Sequence, residues 1–432
     1  MHGGMDKVSI CRLDYQIQPV FILCYKKHRN EILGAMKQEK LYLFKRKLKG
    51  FFVSCAYVVC WAFPVQKNKI VVCSIEGQSG YSCNPKYIVK KLIEQGKEYK
   101  IYWLVNDLTK QFPHEVVKVK NSFWNRIYHL STAKIWIDNS RKELGTLKRK
   151  KQVYIQTWHA TLAFKPAGRM RNDFPKIAYW ISKNDSKMAD YILTNSKWCD
   201  TLYPELLFTI GNTLRIGSPR CDDLVNASKR RKGYNEVRDK LEIPHQKKLV
   251  LFAPTFRGGS QKGLREIYAQ KEEMNYEKLR ETLKNKFGGE WIVLRRLHPQ
   301  LASRMTQKDL KVIDGVIDVT KYDDINEILL GTDAIISDYS SVVFDASYAY
   351  IPAFLYAEDI DEFTKDRGNL LWNSNELPFS IARSSEELMK NINDFDENAY
   401  KKKLSDLFHT VELIEPGNAS EQVVKILEKH MG

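Results

Sequence analysis

The chain has few cysteines and no long apolar run for its length. It contains 8 cysteines among 432 residues, without a CxxC pair or the cysteine–histidine spacing of a zinc site. Its apolar stretch at residues 50–65 spans about 16 residues, short of the roughly 20 that a helix needs to cross a bilayer. The first residues lack the plan of a secretory signal. These absences predict reduced cysteines and an uncleaved, cytosolic start.

Motifs of several common protein classes are also missing. The sequence has no P-loop, Gly-rich dinucleotide turn, nucleophile elbow or HExxH site. It also has no RNP motif and no recognition-helix signature. We therefore expect no cofactor, no metal ligands and no nucleic-acid partner.

The chain is rich in positive charge and in apolar residues. Its formal net charge is +17, with 43% hydrophobic and 12% aromatic residues, which is typical of a globular protein. A basic surface favours a polyanion: nucleic acid, anionic lipid or a phosphate-rich substrate. Because charge alone does not choose among these, a basic nucleic-acid-binding protein remains an alternative of a different class.

Residues 1–66 differ from the rest of the sequence. The basic cluster KRKLK at 45–49 leads into GFFVSCAYVVCWAFPV at 50–65. A basic flank beside an apolar, aromatic run is typical of a helix that lies in a membrane interface. The alternative is a helix buried in the protein core. We predict a membrane-associating helical segment here.

From residue 69 onward, apolar strands alternate with helical patterns, which indicates parallel sheets with helical crossovers. The helix at 84–95 is expected to begin with Asn84 as its cap. We predict two Rossmann-like, doubly wound domains facing across a cleft, with residues 67–235 as the first domain and 236–432 as the second. Ligands bind at the carboxyl ends of the strands in such folds. The predicted strands are 69–75, 100–105, 134–139, 151–158, 191–196, 248–254, 291–298, 334–339 and 352–357.

Polar residues follow several predicted strands. His159 stands at a strand end in QTWHATLAFKPAG (156–168), either as a general base or as a hydrogen-bonded loop residue. Arg257 in APTFRGG (253–259) is either a phosphate ligand or an exposed loop residue. In LRRLHP (294–299), alternation places Arg296 and His298 on one face of the strand. His298 is a candidate to balance charge on a departing phosphate, or a structural residue.

Two further segments add candidates. SDYSSVVFD (337–345) ends a strand at Asp338 and opens a helix at Ser340 and Ser341. Serines there are ordinary caps, and the same helix end can bind phosphate. The acidic segment 358–369 contains Arg367 and Gly368, whose chemistry is opaque in isolation.

Together these segments resemble the CDP-glycerol glycerophosphotransferase family, which includes priming enzymes and polymerases of teichoic acid synthesis and related capsule enzymes. The resemblance rests on QTWHATLAFK, LFAPTFRG, LRRLHP, DINEILLGTDAIISDYSSVVFD and YAEDIDEFTKDRG, and runs from about residue 69 to about 410. It implies a GT-B-like fold and transfer of glycerol phosphate or ribitol phosphate from a CDP-linked donor, with release of CMP. The implied acceptor is undecaprenyl-linked, and the implied location is the cytoplasmic face of the plasma membrane, as a peripheral protein.

The resemblance also implies residue roles. His159 takes the position of the presumed base on the acceptor hydroxyl, and His298 the position beside the donor pyrophosphate. Where the family commonly has Trp-His-Gly-Thr-Pro, this chain continues with residues 160–163 as ATLA, so the acceptor is less well defined than the reaction. The closest rival is a GT-B glycosyltransferase that uses a nucleotide sugar. The expected donor-site residues are Thr255, Arg257, Arg296, Asp338, Ser340, Ser341, Arg367 and Gly368.

Overall fold

The computed structural model describes residues 18–160, 162–171, 174–207, 211–255, 257–258, 267–268, 274–297 and 313–431. The strands of the first half are β1 (Gln66–Cys73), β2 (Lys100–Val105), β3 (Val116–Lys120), β4 (Ala133–Asp138), β5 (Val153–Gln156), β6 (Tyr191–Thr194) and β7 (Asn212–Arg215). Its helices are α1 (Gln18–Cys60), α2 (Cys83–Glu94), α3 (Phe123–Thr132), α4 (Lys176–Met188), α5 (Lys197–Leu207), α6 (Asp222–Val225) and α7 (Ala227–Lys240).

The second half follows the same plan. Its strands are β8 (Lys247–Ala253), β9 (Arg257–Gly258), β10 (Ile267–Tyr268), β11 (Glu290–Arg295), β12 (Val316–Asp318), β13 (Ala334–Ser337), β14 (Ala353–Tyr356) and β15 (Ser380–Ala382). Its helices are α8 (Tyr276–Phe287), α9 (Ile325–Leu330), α10 (Val342–Ser347), α11 (Ile360–Arg367), α12 (Ser385–Asn393), α13 (Glu397–Thr410) and α14 (Ala419–Met431). The short strands β9 and β10 pair with each other in antiparallel fashion.

Both large sheets are parallel and share one strand order. The first runs β3-β2-β1-β4-β5-β6-β7, and the second runs β12-β11-β8-β13-β14-β15. Counted within each sheet, both follow the 3-2-1-4-5-6 order of a doubly wound nucleotide-binding fold, and the first sheet has β7 as an additional, seventh strand at its edge. The predicted pair of parallel α/β sheets is therefore confirmed.

The predicted strands are the ones that the structure buries on both faces. In β1, Ile70 and Val72 face one hydrophobic cluster, whereas Val71 and Cys73 face another. The strands β3, β7, β12 and β15 were not predicted. They lie at or near the sheet edges and are short or partly exposed, so they lack the apolar run that identifies a buried parallel strand.

The N-terminal segment contains a helix with one buried face and one exposed apolar face. Residues 18–60 form one helix, whose side chains are described from residue 37. One face is buried in the protein core through Val53, Tyr57 and Cys60, as expected of a core helix. The opposite face leaves Phe51 and Phe52 exposed. Among the residues that the structure describes, no helix has enough apolar length to span a membrane. Interfacial membrane binding stays a prediction.

The last helix returns to the first half of the chain. Val423, Val424 and Leu427 of α14 pack into the same cluster as Ile70 and Ile88. The predicted division at residues 235 and 236 places this helix in the second domain, and its packing differs from that expectation. The division itself stays a prediction for the rest of the chain.

Candidate active site

A cavity of about 340 Å³ lies where the carboxyl ends of the two sheets face each other. It opens at the points where each strand order reverses, which are β1 and β4 in one sheet and β8 and β13 in the other. The lining residues on which the chemistry depends are Cys83, Trp158, His159, Lys165 and Arg220 from the first half, and Thr255, Arg296, Tyr339, Ser340, Ser341 and Asp345 from the second.

His159 lies in the loop that leaves β5. Its Nδ1 is 2.7 Å from the carbonyl oxygen of Asn139. Because a carbonyl only accepts hydrogen bonds, the neutral ring carries its proton on Nδ1. The lone pair is therefore on Nε2, and the imidazole is accessible from the cavity. This tautomer suits a group that accepts a proton from a ligand.

The surroundings of His159 favour its neutral form. Desolvation by the cleft walls is the largest cause and lowers the pKa of His159 to about 4, while the hydrogen bond to Asn139 opposes this change. Positive charge on Arg220, Arg141 and Lys165 lowers the pKa further. Water in the open cleft screens part of these charges. At neutral pH the ring is unprotonated and able to act as a base.

Arg296 faces His159 from the other half of the cavity. Its Nη2 donates to the carbonyl oxygen of Tyr322 at 3.0 Å, whereas its buried Nε has no hydrogen-bond partner among the described residues. Desolvation is the largest influence on this group and lowers the pKa of Arg296 to about 10, so the guanidinium stays charged at neutral pH. Arg296 therefore places a charged guanidinium on the cavity wall, which is suited to binding an anion.

Arg257 has a different environment from the one that the sequence suggests. Its Nη1 donates to Asp338 at 2.8 Å, and its Nη2 donates to Asp359 at 2.9 Å. Asp338 also accepts from the Thr255 hydroxyl at 2.9 Å. Thr255 and Tyr339 line the cavity, while Arg257 and Asp338 form a buried ion pair behind them. Direct phosphate contact by Arg257 or Asp338 stays a prediction, and the geometry shows them supporting the cavity wall.

Ser340 and Ser341 line the cavity. Ser341 precedes α10 without capping it through its side chain. The amide of Val342 lies 3.5 Å from the Ser340 hydroxyl oxygen, which is a long contact. Both hydroxyls are therefore placed to serve a ligand, and their role stays a prediction.

Three predicted residues remain to be located. His298 lies outside the described residues, as does the side chain of Arg367, which ends α11. Gly368 follows that helix at φ +96, a conformation that favours glycine, and is not among the described residues that line the cavity. Their assignment to the donor site stays a prediction.

The structure adds an ion pair that the sequence did not reveal. Arg220 and Asp345 are each only 3% exposed, and the Arg220 Nε and Nη2 donate to the two Asp345 carboxylate oxygens at 2.7 and 2.9 Å. Arg220 follows β7, whose polar sequence hid the strand end. Asp345 is the last residue of the segment SDYSSVVFD, and local sequence gives it no role because its partner is 125 residues away in the chain. The pair joins the two halves at the cavity.

Further ion pairs cross between the halves near the cavity. Lys86 on α2 lies 2.8 Å from Asp324, and Lys110 lies 2.5 Å from Asp323. With the Arg220–Asp345 pair, these contacts hold the facing strand ends close together.

The fold and the cavity define an α/β protein with two parallel sheets of the nucleotide-binding type and a cavity between them. The profile of the family described as CDP-Glycerol:Poly(glycerophosphate) glycerophosphotransferase matches residues 55–429. The chain belongs to this family, and the resemblance predicted from its motifs is confirmed.

Similar proteins share this family and fold. A teichoic acid poly(glycerol phosphate) polymerase of Staphylococcus epidermidis is 28% identical over 84% of this chain and 51% of that protein. A protein of the same name from Bacillus subtilis (strain 168) is 27% identical over 96% of this chain and 56% of that protein. The solved structure of the wall teichoic acid polymerase TagF is 25% identical, with a TM-score of 0.74, over 90% of this chain and 98% of that chain. The chain spans about half the length of these two curated relatives.

Proposed function

We propose that the protein transfers glycerol phosphate or ribitol phosphate from a CDP-linked donor to an acceptor hydroxyl and releases CMP. The observation that carries this proposal is that one cavity is lined by a neutral His159, with its lone pair on Nε2, and by the guanidinium of Arg296. A base and an anion-binding cation on opposite walls are what a phosphoryl-type transfer requires. The family to which the chain belongs supports the choice of donor.

The reaction proceeds by substitution at the phosphorus atom that carries the polyol. His159 Nε2 accepts the proton of the acceptor hydroxyl, and the acceptor oxygen forms a bond to that phosphorus. The bond between this phosphorus and the bridging oxygen breaks, and its electron pair leaves with CMP. Arg296 and the hydroxyls of Ser340 and Ser341 stabilise the charge that develops on the leaving phosphate. His298 is assigned to the same task by the family resemblance alone.

Other positively charged residues extend this anion-binding site. Arg141, Lys165 and Arg220 surround His159 closely enough to lower its pKa. They therefore serve two purposes in the proposed reaction: they attract a phosphate-rich substrate, and they keep the base unprotonated. The net charge of +17 favours the same kind of substrate over the whole surface.

The acceptor in this proposal is an undecaprenyl-linked polymer precursor, and the protein is peripheral at the cytoplasmic face of the plasma membrane. Support comes from α1, on which Phe51, Phe52 and Val59 are each more than half exposed. The basic cluster 45–49 lies on the same helix one turn earlier. Exposed apolar residues beside lysine and arginine are suited to an anionic membrane surface.

A donor comparison tests the proposal. The protein is incubated with a lipid-linked acceptor and CDP-glycerol, CDP-ribitol or a nucleotide sugar, and the released nucleotide is quantified by chromatography. The proposal predicts CMP from one or both CDP-polyols and a polyol phosphate joined to the acceptor. Turnover of the nucleotide sugar alone would contradict it and favour a glycosyltransferase.

A further inference from the structure

The side-chain amide of Asn84 is fully hydrogen-bonded, and its Nδ2 binds the loop that carries His159. The residue is 2% exposed, and its Nδ2 donates to the carbonyl oxygens of Thr157 at 3.1 Å and Trp158 at 3.0 Å. Its Oδ1 accepts from the backbone N–H of Arg220 at 3.1 Å. Each Nδ2 contact is an acceptor and the Oδ1 contact is a donor, so this orientation satisfies the whole amide.

This arrangement corrects the expected role of Asn84 as a helix cap. Helix α2 begins at Cys83, and Ser82 occupies the position before it. Asn84 therefore lies inside the first turn, where its side chain does not contribute to capping. A buried asparagine at this position is explained by the two carbonyl groups that it binds in the neighbouring loop.

The loop needs such support because its backbone is strained. Trp158 has φ +51, which is unfavourable for a large side chain. The Trp158 amide donates to Gln156 Oε1 at 3.0 Å, and the Trp158 ring lies 4.3 Å from the imidazole of His159, centroid to centroid. Backbone strain persists only where surrounding contacts hold it. Asn84 supplies two of those contacts immediately before His159.

The same amide connects the loop to the opposite wall of the cavity. The backbone N–H of Arg220 donates to Asn84, and its guanidinium forms the ion pair with Asp345 through two hydrogen bonds. Asp345 belongs to α10, the helix that begins after Ser341, and it also accepts from the Asn326 amide at 3.0 Å. A continuous set of buried hydrogen bonds thus runs from the loop of His159 to the helix beside the predicted donor phosphates.

We propose that Asn84 is a positioning residue for His159, and that Arg220 and Asp345 extend its hold to the donor-side helix. Asn84 keeps the Trp158 backbone in its strained conformation, which directs Nε2 of His159 into the cavity. The effect on turnover rests on the proposed transferase function. The effect on the environment of His159 does not, since it is measured without substrate.

The substrate-free test uses the full-length protein and NMR titration of its histidine rings, with the His159 signal identified by its absence in His159→Gln. Wild type is expected to titrate below the ordinary histidine pKa of about 6.5. In Asn84→Ala the loop relaxes and the ring is no longer held against the cleft walls and the nearby positive charges, so the pKa is expected to rise towards the ordinary value. Asn391→Ala is the matched control, because that amide also donates to a backbone carbonyl, of Ile381, in the second sheet. An unchanged His159 pKa in Asn84→Ala would overturn the proposal.

The kinetic test measures CMP release from CDP-glycerol and CDP-ribitol. Asn84→Ala is expected to lower kcat by ~10- to 100-fold, as misplacement of a reacting group does, with the donor KM changed less than about threefold. In a background of His159→Ala it should have little further effect. Asn84→Asp keeps the acceptor for Arg220 and removes both donors, so it is the second variant if Asn84→Ala does not fold. A folded variant with wild-type kcat overturns the proposal, whereas a wild type inactive on every donor overturns the proposed function alone.

Discussion

Replacing Arg220 by methionine should destabilise the protein far more than removing an exposed arginine. Arg220 and Asp345 are both buried and form two charged hydrogen bonds, so the variant leaves the Asp345 carboxylate with only the Asn326 amide. Breaking one side of a buried ion pair costs about 3–5 kcal/mol. We expect a loss of that size in the free energy of unfolding.

The reasoning also predicts a rescue. In the double variant Arg220→Met with Asp345→Asn, no buried charge is left unpaired, and the Asn326 amide keeps an acceptor. Neutral replacement of a buried ion pair is often tolerated, so the double variant should recover most of the loss. Its stability should therefore exceed that of the Arg220→Met single variant.

Urea unfolding followed by tryptophan fluorescence and circular dichroism measures these differences. Arg383→Met is the control, because the Arg383–Asp361 pair at 3.1 Å has side chains that are 59% and 78% exposed and should contribute less than about 1 kcal/mol. If Arg220→Met costs no more than Arg383→Met, or if the double variant is no more stable than Arg220→Met, the structural account of this pair is wrong.

Three further outcomes are expected. First, kcat/KM should fall on the acid side with an apparent pKa below about 6.5, since protonation removes the base. Because the folded state keeps His159 neutral to lower pH than the unfolded chain does, the free energy of unfolding should also decline as pH falls through this window, and it should decline less in His159→Gln. Second, Arg296→Ala should raise the donor KM by at least ~10-fold, with a smaller effect of Ser340→Ala; an unchanged donor titration would remove that residue from the phosphate site. Third, replacing Phe51, Phe52 and Val59 together by serine should reduce co-sedimentation with anionic vesicles without changing the circular dichroism spectrum. The control is Val117→Ser, at an exposed apolar position of β3, which should not reduce vesicle binding. Equal vesicle binding by the triple variant and the wild type would reject the proposed membrane surface.

The sequence predicted those parts of the fold that depend on local pattern. Buried parallel strands such as β1 and β8 are continuous apolar runs, so they were located to within a few residues. The edge strand β7 has the sequence NTLR and packs only partly, so its sequence carries no comparable signal. Contacts between distant segments decide its place. The return of α14 to the first sheet is likewise a property of packing and not of local sequence.

In the candidate site, too, local sequence predicted some residues, while contacts between distant segments decided others. Alternation along a strand and the family resemblance both pointed to His159 and Arg296, and the structure brings these two to one cavity. The partners of Arg257 were not foreseeable, because Asp338 and Asp359 are 81 and 102 residues away from it. Asn84 looked like a helix cap because the local sequence suits one. Only the three-dimensional neighbours show that its amide serves the loop of His159.

The central claim is that His159 is the base of a CDP-polyol transfer in this cavity. It is tested most directly by the rate of CMP release from the preferred CDP-polyol and a lipid-linked acceptor, for wild type and His159→Ala, with His298→Ala measured in parallel as the second predicted site. The account predicts that His159→Ala remains folded, binds donor within about threefold of wild type and loses at least ~10²-fold in turnover. A folded His159→Ala protein that releases CMP at close to the wild-type rate would contradict the account.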